Sequence, residues 1–180
     1  MQKIISKFFI LLFVLYSSCE NKTIRDKEGL IVYQENQISW VRNFEPLNPV
    51  SIPRWPTRGG IYESLYLNNP ITTDWVPWLA TNYKWENNNK KLLFTTRSNV
   101  QWSDGKPFSA HDVAYTLNLW NQYPALDTRN AWEYLKSVVA VSDTLVEIDF
   151  KRIYVPGFEA IAGAPIIPKH IWKELKDPLD

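Results

Sequence analysis

Residues 92–120 read LLFTTRSNVQWSDGKPFSAHDVAYTLNLW, and the fold is decided by how this stretch divides. Leu92–Thr96 is an apolar strand, Ser103-Asp104-Gly105-Lys106 a tight turn, and the residues after Ser109 a capped amphipathic helix. Asp-Gly between two extended pieces predicts a two-residue turn, because glycine takes positive φ without steric penalty. Ser109 followed three residues later by Asp112 predicts a capping box, in which the hydroxyl accepts an orphan amide and the carboxylate answers at the positive end of the helix. Ala110, Val113, Ala114, Leu117 and Trp120 fall on one face at 3.6-residue spacing, so that face is expected to be buried. Trp102 is expected to anchor the turn in the core.

On either side of this stretch the pattern mixes strands and helices without regular alternation. Leu30–Tyr33 and Gln37–Val41 read as strands, the second rich in β-branched and aromatic residues. Arg42 to Arg58 carries Pro46, Pro49, Pro53 and Pro56, which exclude regular structure. A short helix is predicted over Ile61–Leu67, a connecting loop over Pro70–Pro77 and a helical turn at Trp78-Leu79-Ala80. Tyr83–Glu86 and Leu92–Thr96 form a hairpin across Asn87-Asn88-Asn89-Lys90, asparagine being tolerant of turn conformations. Tyr123-Pro124 ends the capped helix, and Thr128 is expected to cap a second one through Leu135. Ser137–Val141 and Leu145–Phe150 pair across Ser142-Asp143-Thr144, with Val146, Ile148 and Phe150 on one face. Val155–Ile161 reads as a short helix, and Pro168 opens a last one at its first position. The sum is an α+β fold with antiparallel hairpins.

The chain has 180 residues, enough for one domain with a core, and a formal net charge of +1. That balance leaves no electrostatic footprint for nucleic acid and no polybasic membrane patch. Nine Trp, nine Tyr and eight Phe supply core rings or flat platforms for a peptide or sugar. Met1 to Cys19 reads as a targeting segment. Lys3 and Lys7 precede nine apolar or aromatic residues, Phe8 through Tyr16, far short of the roughly 20 that a membrane-spanning helix needs. Ser17 and Ser18 then lead to Cys19, the one cysteine, in the manner of a bacterial lipoprotein signal, although Tyr16 stands where leucine is commonest. Ordinary secretory cleavage with Cys19 incidental is the alternative. Glu20 to Gly29 is a polar, flexible tether.

An enzyme needs a nucleophile with a base, a metal cluster or a carboxylate pair in a cleft. His111 and His170 share no metal-ligand spacing with each other or with Cys19, so no metal, cofactor or catalytic residue is expected. Asp104 and Asp112 suggest a glycosidase pair, but a turn and a helix cap account for each without chemistry. No phosphate-binding glycine loop is present.

Residues Leu92-Leu93-Phe94, Arg97 and Val100 through Val113 together resemble the hallmark block of the family 5 extracellular solute-binding proteins, receptors of ABC importers for oligopeptides, dipeptides, nickel and oligosaccharides. Gly60 to Leu65, Trp78-Leu79-Ala80 with Tyr83-Lys84-Trp85, and Ile167 to Trp172 fit the same pattern in the same order, from about Ile31 to Leu175. The resemblance implies the N-terminal part of a type II (class C) periplasmic-binding-protein-like fold. Residues 1–18 would be a lipoprotein signal peptide, 19–29 a tether, 30–56 the first segment of lobe I, 57–154 the accessory domain and 155–180 a truncated return to lobe I, with the second lobe missing. It implies a non-enzymatic, substrate-binding lipoprotein, acylated at Cys19 outside the cytoplasmic membrane in the periplasm or at the cell surface. Such a receptor would capture peptides or oligosaccharides for ABC permease subunits. By position in the chain, Trp40, Arg42, Asn43, Phe44, Leu47, Asn48 and Trp55 would border the ligand, Arg42 facing a carboxylate and the tryptophans a sugar. The alternatives are a non-transporting surface lipoprotein that contacts another protein, and an inactive truncated remnant.

Overall fold

Alternation of apolar and polar residues along four strands builds one antiparallel sheet, and the capped helix covers its apolar face. The computed structural model describes residues 45–47 and 60–178, all within one compact unit, Ser39–Asp180. The signal segment with Cys19, the tether, the first two expected strands, and Trp40, Arg42, Asn43, Phe44, Asn48 and Trp55 lie outside the described residues.

In chain order, β1 (Tyr66–Asn68) and β2 (Trp75–Pro77) form a small hairpin. β3 (Ala80–Glu86), β4 (Lys91–Thr96), β5 (Leu135–Ala140) and β6 (Leu145–Phe150) form the main sheet, in the order β3-β4-β6-β5. The helices are α1 (Ala110–Gln122), α2 (Gly157–Ala162) and α3 (Lys169–Trp172). This is the expected α+β arrangement.

The β3–β4 hairpin is borne out. Asn87, Asn88 and Asn89 all take positive φ, 49°, 51° and 60°, so the turn uses a residue that enters this region more readily than most besides glycine. Register then sets the inner face: Leu92 lies opposite Ile148 and Phe94 opposite Val146, while Val138 faces Ile148 across β5–β6. Leu92, Phe94, Val146 and Ile148 are fully buried. From α1, Ala110, Val113, Ala114, Leu117 and Trp120 are buried over them, as the spacing predicts. Burial of each large side chain contributes about 1.5–3 kcal/mol. On the opposite sheet face Lys91 Nζ sits 2.7 Å from Glu147 Oε1 and 3.8 Å from Asp149 Oδ1, half-shielded charges across three registers.

Several local expectations give way to tertiary pairing. Ile61–Leu67 is not helical: Tyr66–Asn68 pairs with Trp75–Pro77, inside the expected loop. Asn69 closes this hairpin, its Oδ1 accepting the Ile71 amide at 2.9 Å. Short apolar runs do not distinguish helix from strand, and here the strand partner decides. Trp78-Leu79-Ala80 is likewise extended rather than helical, since the Trp78 and Ala80 amides both donate to Leu65 O at 3.0 Å. Between Asp127 and Leu135 there is only a 3₁₀ turn, Ala131–Glu133, preceded by Asn130 at φ 51°. The helix expected from Val155 starts at Gly157, and Pro168 stands just before α3 rather than at its first position.

An aromatic cluster locks the small hairpin and α2 onto the main sheet. Phe158 lies 4.4 Å from Tyr83, 5.4 Å from Tyr66, 5.7 Å from Trp75 and 5.9 Å from Phe94, between ring centroids. Edge, tilted and stacked pairings of this kind add roughly 0.5–1.5 kcal/mol each beyond burial. Burial raises the Tyr66 hydroxyl above its ordinary pKa, and the neighbouring Tyr83 adds to the rise.

Candidate functional site

The signature block resolves into structural parts. The Gly105 amide donates to Trp102 O at 2.9 Å and the Trp102 amide to Lys106 O at 2.8 Å. Only Gly105 takes positive φ, at 81°. The turn is therefore a three-residue loop ending in a left-handed glycine, not the two-residue turn expected from Asp-Gly. Asp104 Oδ1 accepts the Lys106 amide at 3.1 Å, and Oδ2 lies 2.7 Å from His170 Nε2. Those two contacts, in that order, hold the Asp104 carboxyl below its ordinary pKa.

The expected capping box is present: Ser109 Oγ accepts the His111 amide at 3.2 Å, and Asp112 Oδ2 accepts the Ser109 amide at 2.9 Å. Asp112 Oδ1 also accepts the Lys169 amide at 2.9 Å, from 57 residues away. Thr116 Oγ1 accepts the Ile167 amide at 3.1 Å and donates to Asp112 O at 2.8 Å. These side chains hold the segment Ile166–His170 against α1. His111 Nε2 stands 3.4 Å from Asp143 Oδ1 on the surface. Both histidines thus bridge turns to helix starts. Among the described residues no group of three or more His, Cys, Asp or Glu is placed to hold a metal ion.

The chemistry left open lies past the other end of α1. Leu47, expected to border the ligand, is 4% exposed and lines a cavity of about 80 Å³ with Trp120, Asp127, Arg129, Ala160 and Gly163. Helical spacing carries Trp120 there from Val113 and Leu117. Tyr123 then caps α1, its amide donating to Leu119 O, and Pro124 starts a 3₁₀ turn. Asp127, 7% exposed, accepts the Ala131 and Trp132 amides, each at 2.8 Å, and so closes the loop that presents Arg129. Arg129 Nη1 donates to Glu159 O at 2.8 Å, and no carboxylate among the described residues pairs with its guanidinium. A second opening of about 210 Å³ lies against Trp120, Asn130, Trp132 and Glu133.

Trp120 belongs to both openings, and its Nε1–H is buried with no acceptor. Trp132 shows the contrast: its Nε1 donates to Leu117 O at 2.7 Å. Buried donors without partners are uncommon and costly. The Leu47 cavity is lined by Arg129, a cationic donor that suits a carboxylate. Its volume is below the roughly 300–1,000 Å³ that encloses a whole small-molecule ligand, so it receives one group of a larger one. Trp120 was expected only as a core residue and Arg129 not at all. The one available sequence signal was a proline-terminated helix followed by a polar loop.

The model of the bacterial extracellular solute-binding proteins, family 5 Middle, matches residues 74–180. Among curated relatives, the nickel-binding periplasmic protein of Escherichia coli (strain K12) is 30% identical over 132 residues, which are 69% of this chain and 24% of that protein. The periplasmic oligopeptide-binding protein of Salmonella typhimurium is 30% identical over 153 residues, 79% of this chain and 26% of that one. A mannohexaose-bound periplasmic oligopeptide-binding protein of an oligopeptide ABC transporter from Thermotoga maritima superposes with a TM-score of 0.68 at 29% identity, covering 75% of this chain and 25% of its own. The chain spans about a quarter of the length of these relatives.

Proposed function

The chain belongs to the family 5 bacterial extracellular solute-binding proteins, and from that membership we propose that it serves the substrate-binding component of an ABC importer. Its described residues form a mixed α/β part of the type II periplasmic-binding-protein fold. The reading needs no covalent chemistry. Ligand affinity in such a receptor comes from burial between closing lobes. The ligand is a peptide or an oligosaccharide, and the permease subunits are its protein partners.

One observation supports a ligand contact here: Leu47, expected at the cleft from chain order, lines a cavity together with Trp120 and Arg129. We assign Arg129 to an acceptor group of the ligand, with a carboxylate the best match. Arg42, Trp40, Asn43, Phe44, Asn48 and Trp55 complete the proposed wall. Cys19 is the proposed lipid attachment point, holding the receptor on the outer side of the cytoplasmic membrane or at the cell surface. Among the described residues, no helix is long and apolar enough to cross a membrane.

Uptake of labelled tripeptides and labelled oligosaccharides by cells with and without the chain tests this function. Loss of uptake of one class on deletion is expected, and unchanged uptake of both overturns the proposal. These 180 residues, which span about a quarter of the relatives' length, are expected on their own to bind trialanine no tighter than about millimolar. Micromolar binding in calorimetry contradicts that expectation.

A further inference from the structure

Three side-chain ties hold Ile167–His170 against parts of the chain made long before it. Thr116 Oγ1 accepts the Ile167 amide at 3.1 Å, and Asp112 Oδ1 accepts the Lys169 amide at 2.9 Å. The third tie starts from the segment itself: His170 Nε2 lies 2.7 Å from Asp104 Oδ2, across 66 residues. α3 has four residues, far too few to be stable as a helix alone. Its position is therefore set by such ties. Of the three, the last contains an imidazole, the side chain whose charge ordinarily changes between pH 5 and 8.

The turn holds the carboxylate ready for this ring. Asp104 Oδ1 is occupied by the Lys106 amide at 3.1 Å, which leaves Oδ2 to His170. The loop itself is closed by the Trp102–Lys106 and Gly105–Trp102 backbone bonds and by a bridge from Gln101 to Pro107. An Asp104 carboxyl held below its ordinary pKa stays ionised throughout the range in which histidine titrates. An ionised carboxylate only accepts, so Nε2 carries the hydrogen whether the ring is neutral or cationic. The cationic ring adds Coulomb attraction to that hydrogen bond, partly screened at 20% and 38% side-chain exposure. The other charged or titratable groups around the pair, among the described residues, come from each neighbouring element. They are Lys106 in the turn, His111, Asp112 and Tyr115 on α1, Tyr62 beside Trp172, and Lys169, Lys173 and Glu174 in and after α3. Asp112 has both oxygens on amides. Lys173 is answered by Glu174, and His111 faces Asp143, each at 3.4 Å. Asp104 is thus the anion in contact with the His170 ring.

We propose that His170 and Asp104 form a proton-operated latch, which fastens α3 to the signature turn while the ring is doubly protonated and loosens as that proton leaves. The added attraction belongs to the cationic ring, so it is present on the acid side of the histidine titration and lost as pH rises through it. Loosening is local, because the Thr116 and Asp112 ties and the Ile166 amide on Glu63 O at 2.9 Å do not involve the ring. The latch lies apart from the Leu47 cavity and stands independently of the transport reading.

The test is amide hydrogen exchange of the ¹⁵N-labelled full chain at pH 5 and pH 8, corrected for the intrinsic exchange rate at each pH. The Trp172 amide, on Pro168 O at 3.0 Å, and the Lys173 amide, on Lys169 O at 3.0 Å, report opening of α3. The Phe150 amide, on Lys90 O at 2.8 Å, is the reference for the main sheet. Relative to Phe150, protection of Trp172 and Lys173 is expected to be at least about threefold greater at pH 5 than at pH 8. That comparison needs no variant, so a misfolded variant cannot mask it. His170→Gln and Asp104→Asn are each expected to erase the difference while Phe150 stays protected. His111→Gln is expected to keep it, which separates the latch from the His111–Asp143 pair. Equal relative protection at the two pH values, greater protection at pH 8, or a difference that survives His170→Gln overturns the assignment.

Discussion

Asp112 and Asp127 are both buried carboxylates flanking α1, yet they organise two different kinds of region. Asp112, 5% exposed, caps its own helix with one oxygen and holds Lys169 with the other. Asp127, 7% exposed, turns both oxygens onto amides four and five residues ahead. The first ties distant chain together. The second ties only a loop, and two openings remain beside it. Long-range satisfaction produces a core, whereas local satisfaction lets a loop stand without closing on its neighbours. The proposed ligand contact at Arg129 belongs to the second kind of region.

The largest effect is expected where packing is complete. Phe94→Ala, at a fully buried ring against Phe158 and Tyr66, should cost about 3–5 kcal/mol in urea unfolding. Trp120→Phe should cost less, about 1–2 kcal/mol, because part of a buried ring is lost but its N–H strands no acceptor. A loss as large as that of Phe94→Ala would mean that the Trp120 side is packed as tightly as the sheet.

Asp112→Ala should cost about 2–4 kcal/mol and speed hydrogen exchange at the Lys169 amide. Asp127→Ala should cost about 1–3 kcal/mol, with faster exchange at Ala131 and Trp132 alone. Equal acceleration at Lys169 in both variants would erase the distinction between them.

Gly157→Ala should cost about 1–3 kcal/mol, since a new methyl group would stand 2.6 Å from Phe150 Cε1. A neutral result would show that the start of α2 moves freely.

The smallest effect concerns pH. Asp104 has its pKa held below 3.8 by the Lys106 amide first and His170 second. A depressed carboxyl stabilises the fold above its unfolded value, and that contribution disappears as pH falls through the folded value. The urea midpoint should therefore drop less between pH 5 and pH 2 in Asp104→Asn than in the parent chain. A steeper acid loss in the variant would reverse the assigned sign.

What the sequence displayed follows the same division. Ser109, Asp112 and the Val113–Leu117–Trp120 stripe were readable because capping and 3.6-residue periodicity act within a few residues. The Asn87–Asn89 turn and the β5–β6 pairing were readable for the same reason. Tyr66–Asn68 was not, because its extended form depends on Trp75–Pro77 across a turn. The Asp-Gly dipeptide predicted a turn but not its length, which Trp102 and Lys106 set by pairing. At the candidate site, chain order pointed to Leu47 but could not bring Arg129 beside it, since Arg129 is placed by Asp127 and by Glu159 O. Side-chain contacts across 30 to 66 residues leave no local trace.

The bonds from Thr116, Asp112 and Asp104 to Ile167, Lys169 and His170 also set an order of events during synthesis. All of α1 is made before its late partner, since Asp112 waits for an amide made 57 residues later. At about 5–20 residues per second that delay is roughly 3–11 s. During it the nascent helix shows water, or a chaperone, the face that Ile166–His170 will cover. Substitutions in that late segment should therefore first appear as poor yield of soluble chain, before any ligand is offered.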